Sequence, residues 1–357
     1  MKHLELFAGI GGFRRALDLL SEDGIMNFES IGFSEIDANA VRTYSSNYGP
    51  SKTEKPLGDI VAFTSDKKNI QSLPDFELLT GGFPCQTFSM MGKREGFNED
   101  RGQMFFRIMD ILEIKRPNYV LLENVKNLMR HDHGRTFARI KEELEGIGYF
   151  VYPAVYNTSD YHLPQTRSRA IIFACKKRLT KSQAESFTPE SVKLLFDSFV
   201  YSSSVESYGS VLDILDKDVD KKYYLSERIK PTILADGSAN FRSKSEINKL
   251  IARPLTATMH KMHRACQDNY YSEEFILSDG QNKDFEKMSK DELAHLKIRR
   301  ITPEEAFALQ GFPKSFASEA RQNGVSNGAL YKQAGNAISV NTVYAIMYYL
   351  ITKGIIK

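Results

Sequence analysis

The sequence predicts an α/β protein, a doubly wound and mostly parallel sheet with a smaller, irregular inserted domain. Short apolar runs alternate with amphipathic stretches from residue 3 to residue 177, as they do in strand-helix-strand units. Residues 78–79 and 120–122 form continuous apolar runs, which are typical of strands buried on both faces. Between residues 178 and 298 this rhythm fails, and the interval therefore predicts the insertion.

Length and composition exclude several classes of protein. The 357 residues suit two domains, at roughly 150 residues each, and 41% hydrophobic with 26% charged residues excludes a disordered chain. No apolar run approaches the ~18 residues of a membrane span, and the N-terminus lacks the apolar core of a signal peptide. Three separated cysteines without a C-x-x-C pair argue against a disulfide framework and against a metal site. We therefore expect a cytoplasmic protein with reduced thiols and no membrane partner.

Hydrophobic periodicity and helix caps predict the elements in order. The predicted strands are residues 3–8, 30–36, 77–81, 118–125, 149–156 and 169–176. The predicted helices between them are residues 12–20, 38–48, 103–115 and 135–146. Thr302 before Pro303 predicts a helix start, ending near Gly311. A last helix, from about residue 336 to residue 353, is expected to return to the first domain.

The first strand ends in a glycine-rich turn, residues 7–13, that runs into a helix. Glycines let the backbone turn sharply and approach a ligand, and Glu35 ends the next strand, where an acid can bind ribose hydroxyls. Together they indicate a nucleoside-containing cofactor. The spacing of Gly9 and Gly11 lacks the third glycine of the dinucleotide fingerprint, which disfavours NAD without excluding it. A plain strand-to-helix turn is the alternative.

Three further strands carry reactive or charged residues at their ends. Cys85 follows a Gly-Gly-Phe-Pro sequence, where a lowered pKa would make it a nucleophile; a buried structural thiol is the alternative. Glu123 follows an apolar run, and burial there would raise its pKa and make it a proton donor; a helix cap or a salt bridge is the alternative. Arg167 and Arg169 suit a phosphate or a base oxygen, or form an ordinary surface pair.

The distribution of charge indicates a polyanionic partner. Residues 221–264 carry ten Lys and Arg against three Asp and Glu, a net charge of +7, whereas the rest of the chain carries −4. A basic segment on a slightly acidic body is typical of nucleic-acid binding, although a solvated face rich in lysine fits equally well.

Six motifs in a fixed order carry a resemblance to a known family. They are Phe-Ala-Gly-Ile-Gly-Gly (7–12), Gly-Phe-Pro-Cys-Gln (82–86), Glu-Asn-Val (123–125), Gln-Thr-Arg-Ser-Arg (165–169), Ile-Thr-Pro-Glu-Glu-Ala-Phe-Ala-Leu-Gln-Gly-Phe-Pro (301–313) and Gln-Ala-Gly-Asn-Ala-Ile (333–338). This set closely resembles the DNA (cytosine-5)-methyltransferases, over residues 3–177 and 299–354. Residues 178–298, which include the basic segment, fall where that family has its variable target-recognition domain.

The resemblance implies a Rossmann-like, S-adenosylmethionine-dependent fold and a division of labour along the chain. Residues 1–178 and 330–357 would form the catalytic and cofactor-binding domain, 179–298 the DNA-reading domain and 299–329 a connecting hinge. The implied cofactor is S-adenosylmethionine. Its implied contacts are Phe7, Gly9, Gly11, Glu35, Asp59, Ile60, Pro84, Asn336 and Ile338.

The resemblance also implies the chemistry. Cys85 would add to C6 of a cytosine flipped out of double-stranded DNA, Glu123 would hydrogen-bond or protonate N3, and Arg167 and Arg169 would hold the flipped nucleotide. The methyl group would then go to C5. The polar loop 86–102 would close over the DNA, or it is an ordinary solvated loop.

The remaining expectations concern DNA and the setting of the enzyme. The candidate DNA contacts are Gln86, Ser89, Arg94, Arg242, Lys244, Arg253, Lys261 and Arg264. Leu255-Thr256 resembles, in reversed order, the Thr-Leu pair of such reading domains. The Cys-Phe-Thr element of the RNA-acting branch is absent from the sequence, which favours DNA. We expect a monomeric, bacterial or phage-type enzyme near the nucleoid, the modification half of a restriction system whose endonuclease acts separately.

Two other functions remain as alternatives at this point. A nucleotide-binding oxidoreductase would need a pyrophosphate site, and the missing third glycine counts against it. A DNA-binding protein without catalysis would not need the combination of Cys85, Glu123 and Arg167.

Overall fold

The structure, a computed structural model, describes residues 1–49, 53–84, 104–238, 241–261, 265–278, 285 and 287–357. By packing, the chain divides into two compact units. The first unit consists of Met1–Asn157, Ser168–Val205 and Ile338–Lys357, and the second of Thr158–Arg167 and Glu206–Ala337. Among the described residues, no helix combines the length and the apolar character needed to cross a membrane.

A seven-stranded sheet forms the centre of the first unit. Its strands are β1 (Lys2–Leu6), β2 (Glu29–Ser34), β3 (Lys55–Pro56), β4 (Leu78–Gly82), β5 (Tyr119–Val125), β6 (Phe150–Asn157) and β7 (Ser168–Cys175). Their order is β3-β2-β1-β4-β5-β7-β6; the first five run parallel, and β7 runs antiparallel to both of its neighbours. The carboxyl ends of β1 to β5 and the start of β7 therefore share one edge. In open α/β sheets, ligands bind at that edge where the strand order reverses, here between β1 and β4.

Helices pack around this sheet. In chain order the first unit contains α1 (Gly12–Glu22), α2 (Ala38–Tyr48), α3 (Ile60–Thr64), α4 (Lys67–Gln71), α5 (Met104–Lys115), α6 (Arg135–Gly146), α7 (Lys181–Ser186), α8 (Pro189–Asp197) and the C-terminal α15 (Val340–Thr352). The bounds of α2 and α6 are those that the periodicity predicted. Residues 78–79 and 120–122 are fully buried, as continuous apolar strands should be.

The second unit is less regular. Its elements are α9 (Lys230–Leu234), β8 (Gly237–Ser238), β9 (Phe241–Arg242), β10 (Tyr270–Ser272), α10 (Glu273–Leu277), α11 (Lys290–His295), β11 (Ile298–Arg300), α12 (Pro303–Ala308), α13 (Lys314–Gln322) and α14 (Asn327–Asn336). Two short antiparallel pairs, β8 with β9 and β10 with β11, replace a large sheet. A small apolar cluster around Ile233, Tyr270 and Ile298 is one of its cores.

The predicted last helix is wrong at its start. Residues 336–353 were expected to be one helix, but α14 ends at Asn336, Ala337 is extended, and α15 begins at Val340. Ser339 explains the break, because its side chain caps the new helix by accepting a hydrogen bond from the Thr342 N–H.

The packing units also differ from the expected domain boundaries. Residues 179–205 pack with the first unit, where Phe196 of α8 contacts Tyr344 of α15 at 6.1 Å between ring centroids. Residues 158–167 and 299–337 pack with the second unit. The functional division into 1–178 with 330–357, 179–298 and 299–329 stays a prediction.

Candidate active site

The glycine-rich turn after β1 combines three left-handed residues, Phe7 (φ 55°), Gly9 (φ 57°) and Gly11 (φ 80°). Space and conformation differ between the two glycines. A Cβ on Gly9 would meet nothing within 4 Å, whereas one on Gly11 would lie 2.5 Å from the ring of Tyr48. Gly9 therefore borders open space, and Gly11 is where a side chain packs directly onto the backbone.

Glu35, immediately after β2, is oriented by backbone donors. One carboxylate oxygen accepts from the Gly9 N–H at 2.8 Å, and the other accepts from the N–H groups of Ile36 and Asp37, each at 2.8 Å. A carboxylate offers about four acceptor positions, so it retains capacity for a hydroxyl donor. A direct hydrogen bond therefore joins Glu35 to the glycine-rich turn. The sequence indicated only that both contribute to one cofactor site.

Two neighbouring segments complete this half of the edge. Asp59 is exposed and caps α3 by accepting from the Val61 N–H at 2.8 Å, while Ile60 is buried. Ile36, which the sequence analysis did not single out, is 75% exposed beside Glu35. An isoleucine so exposed next to an oriented acid offers an apolar surface on which a flat ring can stack. In the sequence, only its position directly after the predicted strand could have indicated this role.

The other half of the edge begins where β4 ends. Gly82 pairs with Glu123 of β5, and a Cβ on Gly82 would lie 3.3 Å from the Glu123 carboxylate. The Asn124 side-chain amide donates to the Phe83 carbonyl at 2.7 Å, and this buried bond fixes the chain just before Pro84, which is exposed. Cys85 lies outside the described residues.

Glu123 forms a salt bridge with Arg169, with 2.8 Å between Nε and the carboxylate oxygen. β7 starts at this edge and pairs Arg169 with Val125, which puts the guanidinium close to Glu123. The side chains are only 14% and 19% exposed, so water screens the pair little. The salt bridge was the alternative that the sequence left open, and the guanidinium stabilises the ionised carboxylate.

Arg167 has different surroundings from Arg169. It is 2% exposed, and its guanidinium donates to the carbonyls of Leu255, Gly335 and Ala337 at 2.9–3.0 Å. The two arginines were expected to point the same way from an extended chain, but β7 begins only at Ser168, so Arg167 precedes the strand. Arg167 braces the second unit, whereas Arg169 belongs to the Glu123 site.

Two residues of the last motif, Asn336 and Ile338, belong to different packing units. Asn336 is exposed at the end of α14 in the second unit, and Ile338 is buried at the start of the C-terminal part of the first unit.

Comparisons with known proteins decide the family. The sequence model of C-5 cytosine-specific DNA methylases matches residues 1–352. The chain belongs to the C-5 cytosine-specific DNA methylases. The type II methyltransferase M1.ScrFI of Lactococcus lactis subsp. cremoris is 36% identical over 97% of this methylase and 76% of that relative. M.DsaV of Dactylococcopsis salina is 34% identical over 97% and 84% of the two chains.

Solved structures share the fold of the methylase. The S. pombe Dnmt2 methyltransferase superposes with a TM-score of 0.73 at 22% identity, covering 99% of both chains. The Entamoeba histolytica methyltransferase EhMeth gives a TM-score of 0.74 at 19% identity. The predicted α/β methyltransferase fold is thereby confirmed, and family membership implies DNA as substrate and S-adenosylmethionine as methyl donor.

Two of the predicted DNA contacts, Lys244 and Arg253, share an acid within the methylase itself. Lys244, Lys249 and Arg253 all form ion pairs with Glu246, at 2.8–3.1 Å. Hydrogen bonds from Lys249 and Lys244 lower the pKa of Glu246 to about 2. Lys261 is exposed. Arg242 ends β9, and Gln86, Ser89, Arg94 and Arg264 lie outside the described residues.

A cationic segment next to Glu123 escaped the sequence analysis. Residues 126–135, which we call the post-β5 segment, form two 3-10 turns in which Asp132 and His133 are left-handed. Lys126 and Arg130 are exposed and form no ion pair with any residue that the structure describes. The sequence does contain four Lys and Arg residues within residues 126–139, but the larger basic segment 221–264 drew attention away from this smaller cluster.

Proposed function

We propose that this methylase transfers a methyl group to C5 of a cytosine within a specific double-stranded DNA sequence, after flipping that base out of the duplex. The observation that carries the proposal is the Glu123–Arg169 pair, which lies beside Gly82 at the edge where the Cys85 segment starts. This arrangement brings an acid, a cation and the approach to a thiol together at the edge formed by the carboxyl ends of β4 and β5 and the start of β7.

The residues that follow β1 and β2 fit S-adenosylmethionine. The space beside Gly9 suits the methionine part of such a ligand, the remaining acceptor capacity of Glu35 suits the ribose, and the exposed face of Ile36 suits the adenine. Bound there, S-adenosylmethionine supplies a methyl group activated by a sulfonium. We assign its binding to Phe7, Gly9, Gly11, Glu35, Ile36, Asp59, Ile60, Pro84, Asn336 and Ile338.

Residues of β4, β5 and β7 then perform the chemistry on the base. The Cys85 thiolate forms a bond to C6, and the electron pair of the C5–C6 double bond makes C5 nucleophilic. Glu123 takes up a proton from water as the base enters and donates it to N3, which neutralises the negative charge that develops on the ring; Arg169 holds the carboxyl group in place. C5 gains the methyl group, and the donor leaves as the neutral thioether S-adenosylhomocysteine. Water then takes the C5 proton, the electrons of that C–H bond restore the C5–C6 double bond, and the C6–S bond breaks to release the Cys85 thiolate. N3 returns its proton to Glu123.

The roles of the two arginines are thereby divided. Arg169 contacts the site of the flipped base, whereas Arg167 positions the backbone around Leu255 through its three carbonyl bonds. The DNA backbone meets cations of the loop 86–102, Lys261 and the post-β5 segment, since phosphate contacts supply most of the affinity. We also propose that the methylase acts as a monomer and that a cognate restriction endonuclease acts separately from it.

The deciding experiment measures transfer of tritiated methyl groups from S-adenosylmethionine to DNA. The wild type should label cytosine C5, and Cys85→Ser should lose nearly all labelling because a hydroxyl is a far poorer nucleophile at neutral pH. Cys266→Ser, in the second unit, is the matched control and should stay active. Robust labelling by Cys85→Ser would refute the mechanism.

A second measurement tests the covalent step. On DNA carrying 5-fluorocytosine the C5 proton is replaced by fluorine, so the ring cannot be restored and a covalent complex should accumulate. Turnover on normal DNA without such a complex would show that Cys85 does not add to C6. Bisulfite sequencing of DNA from cells producing the chain then identifies the methylated sequence.

A further inference from the structure

We propose that Tyr48 is a positioning residue for the cofactor: from the end of α2, its hydroxyl sets the conformation of the glycine turn. The inference rests on the proposed function, because it requires that this turn hold S-adenosylmethionine. Nothing in the sequence linked Tyr48 to the turn, which lies 37 residues earlier in the chain.

The contact between Tyr48 and the turn is direct. The hydroxyl donates to the Gly11 carbonyl at 2.6 Å. Two carbons of the aromatic rings of Tyr48 and Tyr44 lie 2.5 Å and 2.8 Å from where a Gly11 Cβ would be, so both rings rest on the backbone of this residue. Burial raises the pKa of Tyr48 well above its usual range, which keeps the hydroxyl protonated as a donor.

The helix does not need this hydrogen bond. The Gly11 carbonyl already accepts the Arg15 N–H at 2.9 Å, which is the ordinary first bond of α1. The hydroxyl is a second donor to the same oxygen, and what it fixes is the tilt of the peptide plane between Gly11 and Gly12. That plane follows a left-handed residue (φ 80°) in a turn with two other left-handed residues, Phe7 and Gly9. Such a turn has several accessible conformations unless its surroundings select one.

Charged side chains hold Tyr48 in turn. The Arg14 guanidinium lies 5.0 Å from the centre of its ring, within cation–π range. Arg14 is itself fixed by Asp18 at 2.8 Å and by Glu54 at 2.7 Å. These contacts restrict the ring of Tyr48, and the fixed position of its hydroxyl in turn restricts the Gly11 carbonyl.

Tyr44 offers a matched control one helical turn earlier on α2. Its ring also rests on Gly11 and stacks on Phe33 at 4.1 Å, but its hydroxyl donates to Glu54 at 2.7 Å instead of to the turn. Tyr48→Phe and Tyr44→Phe thus each remove one buried hydroxyl from the same helix, and only the first removes a bond to the turn.

The test compares both variants in steady-state methylation and in titration calorimetry with S-adenosylhomocysteine. Tyr48→Phe should raise KM for S-adenosylmethionine and the Kd for S-adenosylhomocysteine by about 3- to 10-fold, the range of one net hydrogen bond. It should leave kcat and KM for DNA within about twofold. Tyr44→Phe should leave all four constants within about twofold.

Equal effects of the two variants, or an unchanged affinity in Tyr48→Phe, would overturn the inference. A wild type that transfers no methyl group would instead refute the proposed function. If Tyr48→Phe does not fold, two analogues incorporated at position 48 replace it: 4-aminophenylalanine, which keeps the ring and a donor, and 4-fluorophenylalanine, which keeps the ring without a donor. The first should retain the wild-type affinity for S-adenosylhomocysteine, and the second should raise the Kd by about 3- to 10-fold. Equal affinities of the two analogues would exclude the role.

Discussion

At the scale of single residues, Glu5 explains why the first turn resembles a dinucleotide site without being one. Glu5 is fully buried on β1, and its carboxyl accepts from the Arg14 N–H at 3.1 Å, in the first turn of α1. In dinucleotide-binding folds, donors at this helix end face a pyrophosphate. Here the carboxyl group of Glu5 accepts one of these donors, the N–H of Arg14, and Arg14 occupies the position of the third glycine in the dinucleotide fingerprint.

Glu5 also makes stability depend on pH. Burial raises the pKa of Glu5 to about 8. The hydrogen bond from the Arg14 backbone and the positive charge of the Arg14 side chain both lower this pKa, but by less. Between pH 4.5 and 8 the unfolded chain ionises while the folded chain keeps its proton, so the free energy of unfolding falls as pH rises. Glu5→Gln removes this slope, and its melting temperature should gain on the wild type as pH increases from 5 to 8. The measurement is a series of thermal melts.

The exposed Glu142→Gln serves as the control for that series, since it should keep the wild-type dependence on pH. A melting temperature of Glu5→Gln that runs parallel to the wild type at every pH would contradict the prediction.

At the scale of elements, the sequence predicted the strands and the helices of the sheet domain well but not their side-chain partners. β4 and β5 contain the fully buried apolar runs 78–79 and 120–122, and such runs leave few alternatives to a central strand. The Glu123–Arg169 pair depends on β7 running antiparallel beside β5, which periodicity does not encode. For the same reason the charges of residues 221–264 could be counted but not matched with Glu246.

The post-β5 segment leads to a prediction at this scale. Each cation that neutralises a phosphate releases counterions, which adds about 0.9 to the slope of log Kd against log salt concentration. Replacing both Lys126 and Arg130 by Gln should therefore reduce the slope for DNA binding by up to about 2, with KM for S-adenosylmethionine unchanged. Filter binding at four or more salt concentrations measures the slope.

Lys141→Gln is the matched control, because Lys141 lies on α6 and is 3.7 Å from Glu145. It should keep the wild-type slope. If the double variant also keeps it, the post-β5 segment does not contact the DNA backbone.

At the scale of the whole molecule, the chain passes from one unit to the other four times. The segment Thr158–Arg167 connects two neighbouring strands of the first unit, yet it packs with the second. Gln165 donates to the Leu309 carbonyl at 2.8 Å and accepts from the Leu255 N–H at 2.9 Å. The motif order in the sequence predicted the family, but only three-dimensional packing shows that residues 165–167, the start of the fourth motif, pack with the second unit.

Arg167 links the segment 158–167 to three other backbone positions of the second unit, so its replacement should weaken that unit. Lys at this position cannot donate to three carbonyls in different directions from one planar group, so Arg167→Lys leaves buried acceptors unsatisfied. Leaving buried acceptors unsatisfied costs about 1–3 kcal/mol, and the urea midpoint should fall accordingly. Hydrogen exchange should rise around Leu255 and Gly335, where a Cβ would meet Thr256 at 2.2 Å. Arg139→Lys, on the exposed face of α6, should change neither quantity, and an unaltered midpoint in Arg167→Lys would show that the second unit does not need the brace.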